Sequence, residues 1–187
     1  MTLNILPREF YSKDTVYVAK KLLGKKIVRK IGKNEISGII TETEAYRHKD
    51  DPASHAFSRI TDRNKIMFGE IGSAYVYFTY GMYFCFNIVA KTPKTAAGAV
   101  LIRAIEPLKG IEIMQKNRGN ANLKNLTNGP AKLAQALDIT KEHYGIDLTK
   151  KSEIYISQGI DVKKISASPR IGITKAVDKL WNFKIKV

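Results

Sequence analysis

Apolar positions along the chain fall into short periodic stretches, and the period changes from one stretch to the next. Val16, Ala19, Leu22 and Leu23 recur at helical spacing, with Ser12 or Asp14 as a cap and Gly24 as a stop, which predicts a helix between them. Ile27 to Arg29 and Ile36 to Tyr46 read as paired strands across the turn Gly32-Lys33-Asn34. Residues 47–68 are polar and irregular, and a loop of that length in a compact domain is usually functional or disordered. The strongest pattern lies between Ser73 and Ala90. There Ala74, Val76 and Phe78 alternate with Tyr75, Tyr77 and Thr79, and Tyr83 to Ala90 continues in the same style. Tyr80-Gly81-Met82 sits between the two runs, and Gly81 is free to take the positive φ of a tight turn, so a β-hairpin is predicted.

Further along, Ala99 to Ile105 predicts a strand, and Pro107 predicts the first turn of a helix running to Met114 or Gln115. Residues 116–126 are basic and Asn-rich and read as mobile, and Asn128-Gly129-Pro130 opens a helix carrying Leu133, Ala136 and Leu137. Ile154 to Ile156, Arg170 to Ile173 and Phe183 to Val187 read as short strands. No internal repeat or Gly/Ser linker interrupts the chain, so residues 1–187 are expected to form a single domain. The class expected is α+β: a mainly antiparallel, curved β-sheet with surrounding helices and a protruding hairpin.

Composition changes the picture mainly through charge. Thirty-two Lys plus Arg against 17 Asp plus Glu leave a formal +15, which favours a polyanionic partner over a merely soluble Lys-rich surface. The single cysteine, Cys85, lies in an apolar run, forms no internal disulfide and reads as a small buried hydrophobe. No apolar stretch has the length of a membrane span, and Met1 to Glu9 lacks the features of a signal peptide, so a reducing, cytoplasmic location without membrane contact is expected.

Three features carry candidate chemistry. On a strand ending at Tyr46, Glu42, Glu44 and Tyr46 share one face; that suits a catalytic carboxylate held at a loop mouth, but also a charged edge strand that blocks aggregation. His48, Asp50, Asp51 and His55 invite a metal reading, yet no recognised ligand spacing joins them; a pocket-wall histidine at 55 and a solvated His48 fit better, and no metal is expected. Tyr80, at the hairpin tip, either folds back on Met82 or Tyr83 or serves as a wedge entering a base stack. Arg59, Arg63, Lys65, Arg103, Arg118, Lys124 and Lys132 are candidate phosphate contacts, and the start of the Gly129-Pro130 helix favours anions.

Several blocks recur together and in order. They are Glu42-Thr43-Glu44-Ala45-Tyr46, Asp51-Pro52-Ala53-Ser54-His55, Arg63-Asn64 followed by Met67-Phe68-Gly69, Tyr75-Val76-Tyr77, Tyr80-Gly81-Met82-Tyr83-Phe84-Cys85-Phe86-Asn87, Leu101 to Pro107, and Gly129-Pro130-Ala131-Lys132-Leu133. By these the chain resembles the alkyladenine (3-methyladenine) DNA glycosylase family in its short bacterial form, from Arg8-Glu9-Phe10 to Arg170-Ile171-Gly172-Ile173. The resemblance implies a DNA-repair enzyme that flips alkylated, and in some cases deaminated, purines from duplex DNA and hydrolyses them from the sugar, without cofactor. It implies Glu44 as the carboxylate that activates water, Tyr46 as an aromatic that stacks on the base, and His55 as a pocket hydrogen-bonder. It implies Asn87 as the side chain rejecting the exocyclic amino group of guanine, Tyr80 as the inserted residue, and Arg103 as a holder of backbone phosphate and water, with Arg63 and Lys132 on the DNA backbone. Asp62 stands where relatives often carry proline, which places a negative charge beside Arg63. A monomeric, nucleoid-associated protein is expected. Two rivals from other classes are a non-catalytic nucleic-acid binder, whose mark is loss of the carboxylate at 44 or the wedge at 80, and a metal-dependent nuclease using Glu42, Glu44, Asp50 and His55.

Overall fold

In the computed structural model, which describes residues 4–187, the chain folds around a long strand. That strand, β2 (Asn34–Arg47), pairs along one edge with β5 (Gly98–Lys109). Its other edge is shared: β1 (Lys26–Ile31) takes residues 34–39, and β8 (Asn182–Lys184) takes residues 42–44. With β3 (Ala74–Thr79), β4 (Tyr83–Val89), β6 (Ile154–Ser157) and β7 (Ser166–Ser168) they make, among the described residues, an eight-stranded antiparallel sheet ordered β3-β4-β5-β2-β1-β6, with β7 and β8 off that path. Among the described residues the α-helices are α1 (Arg8–Tyr11), α2 (Thr15–Leu22), α3 (Ile111–Asn117) and α4 (Pro130–Ala136). The α+β class expected from sequence is therefore the fold observed.

The two-residue period assigns the faces. Val76, Phe86, Ile88, Val100, Ile102 and Ala45 point into the main core with Val18, Ala19 and Leu22 of α2, all at most 4% exposed. The residues between them (Tyr75, Tyr77, Cys85, Asn87, Leu101, Glu44 and Tyr46) face the other way. Helix α2 starts where the sequence places it, because the Asp14 carboxylate accepts from the backbone N–H groups of Val16 and Tyr17.

Two local expectations are corrected. Pro107 does not open a helix. It lies in β5 opposite Gly38, past the end of the pairing with β4, where a missing N–H costs no ladder bond on that side. The helix begins after Gly110, whose φ of 72° only glycine adopts without strain and whose missing Cβ leaves room for Ile36. Arg170 to Ile173 forms no strand either; the strand in this region is β7, and residues 170–173 cross the sheet face as a loop. The segment read as mobile at 116–126 contains a 3-10 turn at Leu123–Asn125, capped by Asn122, and buries Leu126.

The long loop after β2 is ordered by its own polar groups. Buried Asn64 donates to the carbonyls of His55 and Arg59 and accepts from the Thr61 N–H, closing the loop into a 3-10 turn at Lys65–Phe68. His48 is half-buried rather than solvated: its Nδ1 lies 2.6 Å from the Ala56 carbonyl and its ring meets Phe68 edge-on.

Candidate active site

The pairing register places Tyr75, Asn87, Leu101, Glu44 and Asn182 side by side across five strands on the face away from the main core. Above this row opens a pocket of about 250 Å³. Tyr46, Tyr75 and Tyr77 give it aromatic walls, His55 and Arg63 come from the long loop, and Asn87, Arg103 and the loop at 171–173 complete it. Tyr80 stands at its rim.

Glu44 sits behind this wall. Its side chain has no exposed surface, and its carboxylate accepts four hydrogen bonds: Oε1 from the Ile171 N–H (2.8 Å) and Asn182 Nδ2 (2.9 Å), Oε2 from the Tyr46 hydroxyl (2.8 Å) and Arg103 Nη1 (3.2 Å). A buried charge needs such partners. Three of the donors, from Tyr46, Arg103 and Ile171, also line the pocket, so they are the route between the cavity and the carboxylate. The edge-strand reading of Glu44 is excluded, since β2 is paired on both sides at this position.

Arg103 is the residue left without a partner where the β2–β5 register slips between Glu42 and Thr43. This bulge aims its guanidinium at both carboxylates, Nε to Glu42 at 2.9 Å and Nη1 to Glu44 at 3.2 Å. The side chain is only 12% exposed. Tyr46 is pushed well above the ordinary tyrosine range, first by burial and then by the Glu44 charge, so its hydroxyl stays a donor. Tyr75 and Tyr77 are raised chiefly by burial and stay neutral likewise. Cys85 is buried as expected, lines the pocket and hydrogen-bonds with Tyr77, and burial raises its thiol.

His55 keeps solvent access on one side while its ring stands edge-on to Tyr77, centroids 4.8 Å apart, and its Nδ1 lies 2.8 Å from the Tyr75 hydroxyl. Desolvation, helped by the Arg63 guanidinium, pushes it down to about 4, so the imidazole is neutral at pH 7. Arg63 lies over the Tyr77 ring, 4.7 Å from its centroid. Neighbouring Asp62 points to solvent and pairs with Lys65 at 3.2 Å. Asn87 is buried and donates to the Tyr75 carbonyl at 3.0 Å. Lys132 lies apart from the pocket lining, its ammonium 2.8 Å from Asn128 Oδ1.

Tyr80 is 85% exposed and so does not fold back on its neighbours. It and Gly81 take positive φ, 51° and 67°, at the centre of a tight turn that the Met82 N–H closes on the Thr79 carbonyl, within the three-residue connection from Thr79 to Tyr83. A tyrosine held there is strained by about 1 kcal/mol, and strained residues of this kind cluster at functional positions. Tyr80→Asn, which tolerates that backbone, is expected to melt no lower than the wild type while binding lesion-containing duplex more weakly. Thermal melts with a fluorescence binding titration test this; unchanged binding with lowered stability would reduce Tyr80 to a structural residue.

The loop carboxylates are taken by arginines: Asp50 pairs with Arg47 at 2.8 Å, and fully buried Asp51 holds fully buried Arg170 through two 2.6 Å bonds. Among the described residues, no three His, Cys, Asp or Glu side chains converge in a metal-binding arrangement. Sequence reasoning weighed Asp51 only as a metal ligand and gave Arg170 and Asn182 no role. Arg170 backs Tyr46, 4.6 Å from its ring centroid, with Trp181 at 5.2 Å, and it fixes the segment whose next N–H reaches Glu44. In the sequence Arg170 is only an arginine in a stretch read as strand, and burial is not a local property.

Comparison with known proteins agrees with the geometry. The family model described as methylpurine-DNA glycosylase matches residues 9–187. A protein of Carboxydothermus hydrogenoformans named "Putative 3-methyladenine DNA glycosylase" is 47% identical, over 97% of this chain and 95% of its own length. Proteins of the same name from Clostridium acetobutylicum (45% identical, 97% and 94% covered) and Methanocella arvoryzae (44%, 96% and 91%) are also similar. The chain belongs to the methylpurine-DNA glycosylase family and is a DNA glycosylase. Among the described residues, no helix is long and apolar enough to cross a membrane.

Proposed function

We propose that the protein repairs alkylated DNA by flipping a damaged purine out of the duplex into the Tyr46–Tyr75–Tyr77 pocket and hydrolysing its N-glycosidic bond with water activated by Glu44. The observation that carries this reading is a buried, fully hydrogen-bonded carboxylate directly behind an aromatic pocket whose rim bears an exposed, strained tyrosine. The relatives' shared name, a glycosylase acting on 3-methyladenine in DNA, supports the substrate class.

A base inside a duplex is out of reach, and extruding it costs a few kcal/mol. Tyr80 offsets part of this by filling the vacated stack. Base–aromatic stacking returns about 1 to 3 kcal/mol per base, and alkylation at a ring nitrogen makes the base cationic, a better partner for an electron-rich ring. Asn87, fixed by its bond to the Tyr75 carbonyl, is the gate against the amino group of normal guanine; His55, Arg63 and Arg103 supply polar contacts to base, backbone and water, and Lys132 a more distant phosphate contact. In the chemical step the water oxygen bonds to the anomeric carbon, the glycosidic pair leaves with the purine, and the water proton passes to Glu44. The carboxylate also stabilises the cationic sugar. The nitrogen bases lining the pocket are His55, Arg63 and Arg103, none of which forms a Schiff base, which supports hydrolysis to an abasic site without a lyase step. In this reading the protein acts as a monomer on the nucleoid, where its substrate lies.

Base release from duplexes carrying single 7-methylguanine, 3-methyladenine, hypoxanthine or ethenoadenine residues tests the reading. Release of at least one free base, leaving an alkali-labile site and continuing in EDTA, is expected. Strand cleavage that stops in EDTA would replace it with the nuclease reading.

A further inference from the structure

Glu42 and Asn182 belong to the same buried network as Glu44, and of the side chains lining the pocket only Arg103 bonds to either of them. Asn182, fully buried on β8, donates one amide hydrogen to Glu42 Oε1 at 2.8 Å and the other to Glu44 Oε1 at 2.9 Å. Its Oδ1 accepts from Ser168 Oγ at 3.4 Å, which fixes the amide so that both N–H groups face the carboxylates. Glu42, only 13% exposed, takes Arg103 Nε and, at 3.3 Å, the Lys184 ammonium. Two carboxylates are thus bridged twice, by a neutral amide and by one guanidinium.

We propose that Glu42 and Asn182 are positioning residues that set the aim and basicity of Glu44, a proposal that rests on the reading of Glu44 as the base. Glu42 does so by competition. Holding Nε, it leaves Arg103 a single long bond to Glu44 and adds a second negative charge nearby. Asn182 acts in the opposite sense: it donates to both carboxylates and fixes Oε1, so the water is met at Oε2, where the long Arg103 bond gives way. The charged and titratable groups facing this network are Glu42 and Tyr46 on β2, Cys85 on β4, Arg103 on β5, Lys184 on β8 and Arg170 of the crossing loop.

The test uses full-length Glu42→Gln and Asn182→Leu with single-turnover base release from dimethyl-sulfate-treated duplex across pH, and binding to a duplex with a tetrahydrofuran abasic analogue. Both variants are expected to lose about 10- to 100-fold in rate, the scale for a slightly misplaced catalytic group, and to keep abasic-site binding. The acid limb of the rate profile moves to lower pH in Glu42→Gln, which loses a negative neighbour, and to higher pH in Asn182→Leu, which loses a donor to the carboxylate. A purely structural role moves neither limb, so limbs that stay in place overturn the proposal whatever the rates. If Asn182→Leu does not fold, Glu42→Gln decides alone. The two readings fail separately: full activity in Glu44→Gln would remove the base itself, whereas unmoved limbs with an inactive Glu44→Gln would remove only the positioning role.

Discussion

Glu44→Gln is expected to reduce base release from dimethyl-sulfate-treated duplex by about 10²- to 10⁴-fold, the span a general base contributes, while leaving abasic-site binding largely intact. The carboxylate accepts from Ile171, Asn182, Tyr46 and Arg103, and none of these can accept a hydrogen from it in return through the atoms involved, apart from the Tyr46 hydroxyl. A glutamine keeps the shape but presents an NH₂ where two donors point, and it has no proton affinity to draw on a water. Tyr80 and the basic surface are untouched, so recognition of the gap in the duplex persists. Measured single-turnover rates near wild type would reject Glu44 as the base; loss of abasic-site binding together with activity would make it a folding residue instead.

The second large effect is expected at the Asp51–Arg170 pair, where Arg170→Met should lower stability by about 3 to 5 kcal/mol because it leaves the Asp51 carboxylate buried without its cation. For a domain of this size that corresponds to a melting point lower by about 10 °C. Replacing both residues (Arg170→Met with Asp51→Leu) should recover most of the melting temperature, since a well-packed apolar pair often equals a buried ion pair. Activity should not return with it. Arg170 supports the Tyr46 ring and donates to the Ala45 carbonyl, and the Ile171 N–H that follows it holds Glu44 Oε1. Calorimetry and single-turnover release on the single and double variants separate these terms. A double variant as active as wild type would confine the pair to stability.

The two predictions rest on residues of very different visibility in the sequence. Glu44 stands in a strand pattern next to a long polar loop, and an ordered set of motifs singled it out from Glu42. Arg170 stands in a stretch whose alternation suggested a strand, and nothing within a few residues of it marks burial. The same division runs through the fold. The hairpin at Tyr80-Gly81, the Asp14 cap and the helix opening at Pro130 are local events governed by turn chemistry, capping and periodicity, and the structure has them where the sequence puts them. Pro107 misled because its suitability for a helix start is also a local rule, overridden by pairing of β5 with β2 as far as Lys109.

By itself, the sequence determined the alternation of faces along β3, the hairpin turn with Tyr80 at its tip, and a net charge that favours a polyanionic partner. These follow from the two-residue period, from φ preferences and from composition, none of which needs a distant partner. The tertiary structure decided what those residues do to one another. It closed Asp51 onto Arg170 across 119 residues and Asn182 onto Glu44 across 138, and it turned Arg103 toward both carboxylates at a bulge. It also placed Glu44 behind the pocket wall rather than on it. Contacts at such separations are set by strand order and register, and their strength comes from exclusion of water, which exists only once the sheet has closed and the last strand has docked against β2.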